Sequence, residues 1–314
     1  MAYYPRVHAK RMRPRIRGWP ETDSKQPKLL AHAGFKAGCV QIVSIDDRKN
    51  VPNHGKQLVT LGTVIATPPA IVLGVRGYTK DFDGKHAAFD IMADNLPKRI
   101  TKYMPKKTGS SAESARSALP NVIEIVAILA ASPAEAGLEQ KKPYIFEATV
   151  RGGTITERFD YAMELQGKSV KLDEVFDEGS MIDVAAISKG KGWQGVIQRM
   201  GAKRKQHKSR KTVRELGSLG PISPQNVMYT VPRAGQMGFH QRVEYSKRIM
   251  VVGHADSDKI NPSGGFKHFG EVPGDYIIVK GSVPGTYKRL INLRAPVRNV
   301  PAKTLKPNVL EVII

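Results

Sequence analysis

Cysteine is almost missing from this chain: Cys39 is the only one in 314 residues. A single thiol excludes an intramolecular disulfide and any zinc site built on several cysteines of this chain, and it fits a reducing cytosol. Long apolar runs are missing too. The longest, around Ile123–Ala131, is too short to cross a bilayer, so no membrane partner is expected. The N-terminus lacks the apolar stretch of a secretory signal, and Pro5, Pro14 and the absence of an amphipathic period set it apart from a transit peptide. Acidic residues are scarce. Asp and Glu number 28 against 50 Lys and Arg, leaving a net charge of +22, more than solubility requires and a pointer to a polyanion.

What is present is unevenly spread. Residues 1–28 carry eight Lys/Arg and two acids, and Lys189–Arg248 carries fourteen against only Glu215 and Glu244. Together the two segments hold +18 of the +22, so the other 226 residues are nearly balanced, as expected of a globular body able to bury a core. Between Arg199 and Leu219 apolar residues follow neither a 2.0 nor a 3.6 period, so this stretch buries little surface of its own. Lys203–Lys211 alone would also fit a solvated face or an import signal. Its setting argues otherwise: Trp193, Tyr229, Phe239 and Tyr245 offer stacking surfaces beside the charges, which points to folded RNA. In the N-terminal arm, Pro5, Pro14 and Pro20 block a long helix. Arginines there alternate with Tyr3, Tyr4, Ile16 and Trp19, a pattern for guanidinium–phosphate contact with aromatic stacking rather than a free tail.

The intervening sequence reads as mainly β. Strands are expected at Cys39–Ile45, Gln57–Ala66, Ile71–Val75, Ala87–Met92, Asn121–Ala131, Tyr144–Val150, Met181–Ile187, Ile249–Val252, Tyr276–Lys280 and Leu290–Leu293. Helices are expected at Asn95–Met104, interrupted by Pro97, at Ser110–Leu119 and at Ile155–Leu165. Short polar turns between strands imply a barrel or sandwich, and barrel-like strands on both sides of two other segments imply a domain interrupted twice. The apolar ending VLEVII implies a tail tied back to the body.

Chemistry-bearing motifs are weak. Gly190-Lys191-Gly192-Trp193-Gln194-Gly195 matches the dinucleotide fingerprint, with Glu215 twenty residues beyond its last glycine. An apolar-faced helix should follow, and the basic tract from Ala202 follows instead. Gly167-Lys168-Ser169 lacks the first glycine of a phosphate loop, Ala162 standing there. The histidines show no metal spacing, and no nucleophile or carboxylate pair surrounds His240. Asp46, Asp47, Asp81 and Asp83 read as turn acids. No catalytic residue, metal or cofactor is expected, and the alternative to a structural RNA-binding protein is an RNA-modifying enzyme or a transient assembly factor.

Five tracts, in order, carry a resemblance: GFKAGCVQIV (34–43), TPPAIVLGVRGY (67–78), ISKGKGWQGVIQRMGAKRK (187–205), VPRAGQMGFHQR (231–242) and GGFKHFGEVPGDYIIVKGSVPG (264–285). They resemble the archaeal/eukaryotic branch of the ribosomal protein L-three family. The resemblance implies a discontinuous translation-factor-type β-barrel with an α+β insertion, a basic internal finger and an N-terminal arm. The expected division is 1–28 arm, 29–79 barrel, 80–180 insertion, 181–188 barrel strand, 189–248 finger, 249–294 barrel and 295–314 tail.

The implied role is structural. The chain would bind large-subunit rRNA, assist early assembly and organise RNA near the peptidyl-transferase centre. Its neighbours would be other large-subunit proteins, the L-fourteen family among them, with no homo-oligomer. Candidate phosphate contacts are Arg11, Arg13, Arg15 and Arg17 in the arm, and Lys191, Lys203, Arg204, Lys205, Lys208, Arg210, Lys211 and Arg214 in the finger. Arg233, Arg242, Lys247 and Arg248 follow on its return. Gly192, Gly235 and Gly238 are candidates for close backbone approach to RNA. His207, Gln236 and His240 are candidates for hydrogen bonding, and Trp19, Trp193, Ile222 and Phe239 for packing on bases or sugars. Ile222 stands where relatives usually carry tryptophan, leaving apolar packing in place of stacking. Ser223 stands where some relatives are methylated, and that modification is not carried over.

Overall fold

The computed structural model describes residues 5–21, 24–104, 110–223, 225–255, 260–298 and 305–314. Tyr3 and Tyr4, named above, lie outside them. In chain order come β1 (Lys28–Leu29), β2 (Ala31–Ile45), β3 (Gln57–Ala66), β4 (Ala70–Asp81) and β5 (Gly84–Met92). Next are α1 (Lys98–Thr101), α2 (Ala112–Ala118), β6 (Glu124–Ala131), β7 (Tyr144–Arg151), α3 (Ile155–Leu165), β8 (Ser169–Val170) and β9 (Met181–Ile187). After β9 follow β10 (Trp193–Gln194), α4 (Val196–Met200) and β11 (Gly235–Gln236). The chain closes with β12 (Gln241–His254), β13 (Asp275–Lys280), β14 (Leu290–Arg294) and β15 (Val309–Ile313).

Local chemistry accounts for the ends of these elements. The α2 helix starts where the Ser111 side chain accepts the Ser114 N–H at 3.2 Å. The α3 helix opens on a capping box in which Thr154 and Glu157 satisfy one another's backbone N–H groups. The helix expected over Asn95–Met104 shrinks to α1, because Pro97 is accommodated only at a helix start. The β6 strand begins at Glu124 rather than Asn121, after a 3₁₀ turn holding Pro120. The β2 strand starts well before Cys39. Its first half, AHAGFKAG, lacks β-branched residues and is held by pairing with β14, from Ala31↔Arg294 to Phe35↔Leu290.

Two main sheets result, both antiparallel. In the first, hydrogen bonding runs β14–β9–β12–β13–β3–β2, and β14 also pairs with β2, so six strands form a closed circuit. Outside it, β15 pairs with β2, which is how the apolar C-terminal stretch returns to the body. The second sheet runs β1–β7–β6–β4–β5, with β8 beside β4. Ile71–Val75, assigned above to the barrel, therefore belongs to the second sheet. The Thr67–Pro69 break after β3 redirects the chain, since two consecutive prolines cannot continue a ladder.

Alternate residues in the first sheet enter different cores. Ile65, Ile277, Val279, Ile291 and Leu293 join Ile182, Val184 and Ile249 in one cluster. Val64, Ala66, Ile278 and Leu290 join another that continues through Phe35 to Ile125, Leu129 and Phe159 of the second sheet and α3. Strands buried on both faces explain the unbroken apolar runs in the sequence. No helix among the described residues is long and apolar enough to cross a membrane.

Candidate nucleic-acid interface

The finger leaves the first sheet between β9 and β12, whose facing ends pair as Ile187↔Gln241. A short ladder forms its root. The Ser188 N–H donates to the His240 carbonyl at 2.9 Å, Lys191 N–H to the Met237 carbonyl at 2.9 Å, and Met237 N–H to the Gly192 carbonyl at 2.9 Å. Beyond it β10 pairs with β11, and the five-residue α4 ends at Gly201 in the left-handed region, φ +68. The GKGWQG tract thus enters a two-residue strand and one turn and a half of helix, not the strand–helix crossover of a dinucleotide site.

Arg199 braces the root. Its guanidinium donates to the Gln236 carbonyl at 3.0 Å and the Arg233 carbonyl at 2.9 Å, joining the outgoing and returning chains. Gly235 leaves room for it, since a Cβ there would lie 2.9 Å from the Arg199 Cζ. Gly238 has φ +73, and a Cβ would fall 2.0 Å from the Lys189 carbonyl oxygen. Both glycines thus have a reason within the chain, apart from RNA approach. Gly192, also left-handed at φ +66, has open space around it.

The arm docks at this root, a convergence invisible in sequence. The His240 Nδ1–H donates to the Val7 carbonyl at 2.8 Å, and Ala9 N–H donates to the Phe239 carbonyl at 2.8 Å. The His8 ring stacks on Phe239 with centroids 4.2 Å apart and planes at 22°. Arg289 lies 5.4 Å from the same ring and donates to the Ile187 and Ser188 carbonyls. Arg6 reaches the Arg199 carbonyl at 3.2 Å. Burial pushes the His240 imidazole down from its ordinary pKa, and the Arg242, Arg6 and Arg199 charges act the same way against the Val7 hydrogen bond. Held neutral in this way, His240 clasps the arm through the Val7 carbonyl. Farther along, Gln241 exchanges hydrogen bonds with the Arg15 backbone, Asn292 donates to the Pro14 carbonyl at 3.2 Å, and Arg294 donates to the Gly18 carbonyl.

The sequence candidates separate by exposure. Lys191, Lys203, Arg204, His207, Lys208, Arg210, Lys211, Arg214 and Arg233 are exposed, and Lys205 is half-buried. No described residue from Lys189 to Ala234 is buried. Trp193 is 75% exposed and Ile222 89%, so large apolar side chains stand in solvent on the same segment as the cations. In the arm, Arg11, Arg15 and Arg17 are exposed, whereas Arg13 donates to the Ile145 carbonyl at 2.6 Å and Trp19 is half-buried against the body. Arg242, Lys247 and Arg248 lie in β12, not in the finger. Lys247 pairs with Glu244 at 2.7 Å, and Arg248 is committed to Asp47 and the Leu305 carbonyl. Gln236 donates to the Met237 and Gly238 carbonyls. Sequence reasoning missed Arg6, His8, Arg199 and Arg289 because their partners are carbonyls and rings distant in sequence, which no motif records.

A family model described as Ribosomal protein L3 matches residues 1–313. The large ribosomal subunit protein uL3 of Methanocorpusculum labreanum is 40% identical over 313 residues, 98% of this chain and 93% of the relative. The protein of that name from Caldivirga maquilingensis is 43% identical over 311 residues, covering 95% and 89%. That of Archaeoglobus fulgidus is 41% identical over 304 residues, covering 95% and 90%.

Proposed function

The chain belongs to the ribosomal protein L3 family, and from that premise we propose that it is a structural constituent of the large ribosomal subunit, held there by rRNA. The observation that carries the physical half of this reading is the finger: a long cationic excursion with no buried residue among the described ones from Lys189 to Ala234. Such a segment gains its order from a partner, and counterion release from RNA phosphates supplies the driving force. The family is a structural component of the ribosome, not a family of enzymes.

The closed six-strand circuit supports reading the first sheet as a translation-factor-type barrel, with the second sheet and its helices as the α+β insertion. On this reading residues 189–240 form the finger and Gln241–Arg248 returns to the barrel. Arg11, Arg15, Arg17 and the exposed cations of the finger contact phosphates, while Trp193 and Ile222 pack on bases or sugars. Phe239 and His240 contribute by holding the arm against the finger root. The finger approaches the peptidyl-transferase region, and the neighbours include a protein of the L-fourteen family.

Sedimentation of a native lysate, with this protein quantified by mass spectrometry after a high-salt wash, tests the reading. One copy per large subunit, retained through the wash, is expected. Recovery mainly at the top of the gradient, or loss in the wash, would replace it with a transient RNA-acting factor.

A further inference from the structure

Away from the finger, the arm and the second sheet enclose a cleft of about 790 Å³, within the size range of ligand pockets. Arg11, Arg15 and Arg17 line the arm side with Trp19, and Met92 and Met104 line the sheet side. Six cationic side chains and only two carboxylates, Glu124 and Glu147, line the whole. Both carboxylates are already engaged. Glu124 binds Lys85 and accepts from Thr149 at 2.9 Å, and Glu147 accepts from Arg76 at 2.8 Å and Tyr78 at 3.1 Å. Arg11, Arg15 and Arg17 make no side-chain hydrogen bond or ion pair among the described residues. Three unneutralised guanidinium groups therefore face a wall whose own acids are spent.

We propose that this cleft receives a single-stranded segment of RNA, its phosphates on Arg11, Arg15 and Arg17 and one unstacked base against Trp19, Met92 and Met104. The inference rests on the RNA-binding reading above and deepens it, giving the arm's arginines a strand of stated form and a wall for its base. Charge selects a polyanion, since an excess of cations without free carboxylates repels the basic tails of other RNA-binding proteins. The apolar wall selects a strand with an extruded base over a duplex, because a duplex presents phosphates and keeps its base faces stacked. Methionine suits this wall, being flexible and polarisable against an aromatic face. Tethering of the arm through Pro14, Gly18 and Gln241 keeps the cleft formed before RNA arrives, so little ordering cost falls on binding.

Directed hydroxyl-radical probing in assembled large subunits tests the site. The full-length protein carries Cys39→Ser and either Met104→Cys, for an iron chelate in the cleft, or Arg210→Cys, for one on the finger. The expected result is rRNA cleavage from Met104→Cys at one short stretch, severalfold above the Cys39→Ser background and distinct from the stretch cut from the finger. Cleavage from the finger with none from Met104→Cys overturns the cleft proposal alone, as does radical cleavage there of a neighbouring protein without RNA. Absence of cleavage from both positions overturns the RNA reading itself. Should Met104→Cys fail to incorporate, Met92→Cys on the same wall supplies the tether.

Discussion

His32 lies wholly inside β2, with no exposed surface, and its Nε2–H donates to the Val170 carbonyl at 3.2 Å. Burial lowers its pKa from the ordinary histidine value, so the folded protein holds it neutral. The unfolded chain takes up a proton near pH ~6.5 while the folded state resists. Between the lowered folded pKa and that value, the unfolded state binds more protons, and stability falls as the pH falls; above it, His32 contributes no slope. Thermal unfolding followed from about pH 7 to about pH 5 should show the midpoint dropping, and His32→Gln should flatten the drop. Equal slopes in both proteins would assign the effect to other groups. His32 illustrates what a sequence conceals. Neither its burial nor the clasp between His240 and Val7 has a local signal, because each depends on a partner more than a hundred residues away. The exposed cations of Lys203–Arg214 were legible for the opposite reason: charge without apolar periodicity is itself the signal.

The finger behaves as an element that stands apart from the body's energetics. Its cations from Lys203 to Arg214, all exposed but the half-buried Lys205, enter no hydrophobic core, and exposed substitutions of this kind each shift stability by no more than about 0.5 kcal/mol. Replacing Arg204, Lys205, Lys208, Arg210 and Lys211 together with glutamine should sharply reduce incorporation into large subunits. The thermal midpoint of the free protein should move little. If the midpoint fell as far as incorporation, the finger would belong to the cooperative fold. Most elements were readable from alternation and turn residues, as for β3 and β9, or from capping residues, as for α3. Others were misplaced or resized, and two of them show why. The first half of β2 is built from small residues whose strand character comes from its neighbours, and β4 changes sheets at a proline pair that reads only as a stop.

For the whole molecule, the two basic segments, far apart in the chain, meet where Val7–Ala9 lies against Phe239–His240. With about eight phosphate contacts along the finger, affinity for isolated rRNA fragments should fall by roughly 10³-fold or more between about 50 and 200 mM salt. Filter binding across that range measures it, and a flat response would remove the electrostatic basis of the interface. Charge partition made the composition of both segments legible from sequence, but their meeting arises from tertiary contact. One junction carries a different consequence. Because Ile187 and Gln241 sit opposite one another, the first sheet registers what lies beyond the braced root, between Gly201 and Pro232, as a hairpin loop. Doubling such a loop adds only about 0.6 kcal/mol of closure cost. The finger's length is therefore nearly invisible to the sheet that bears it.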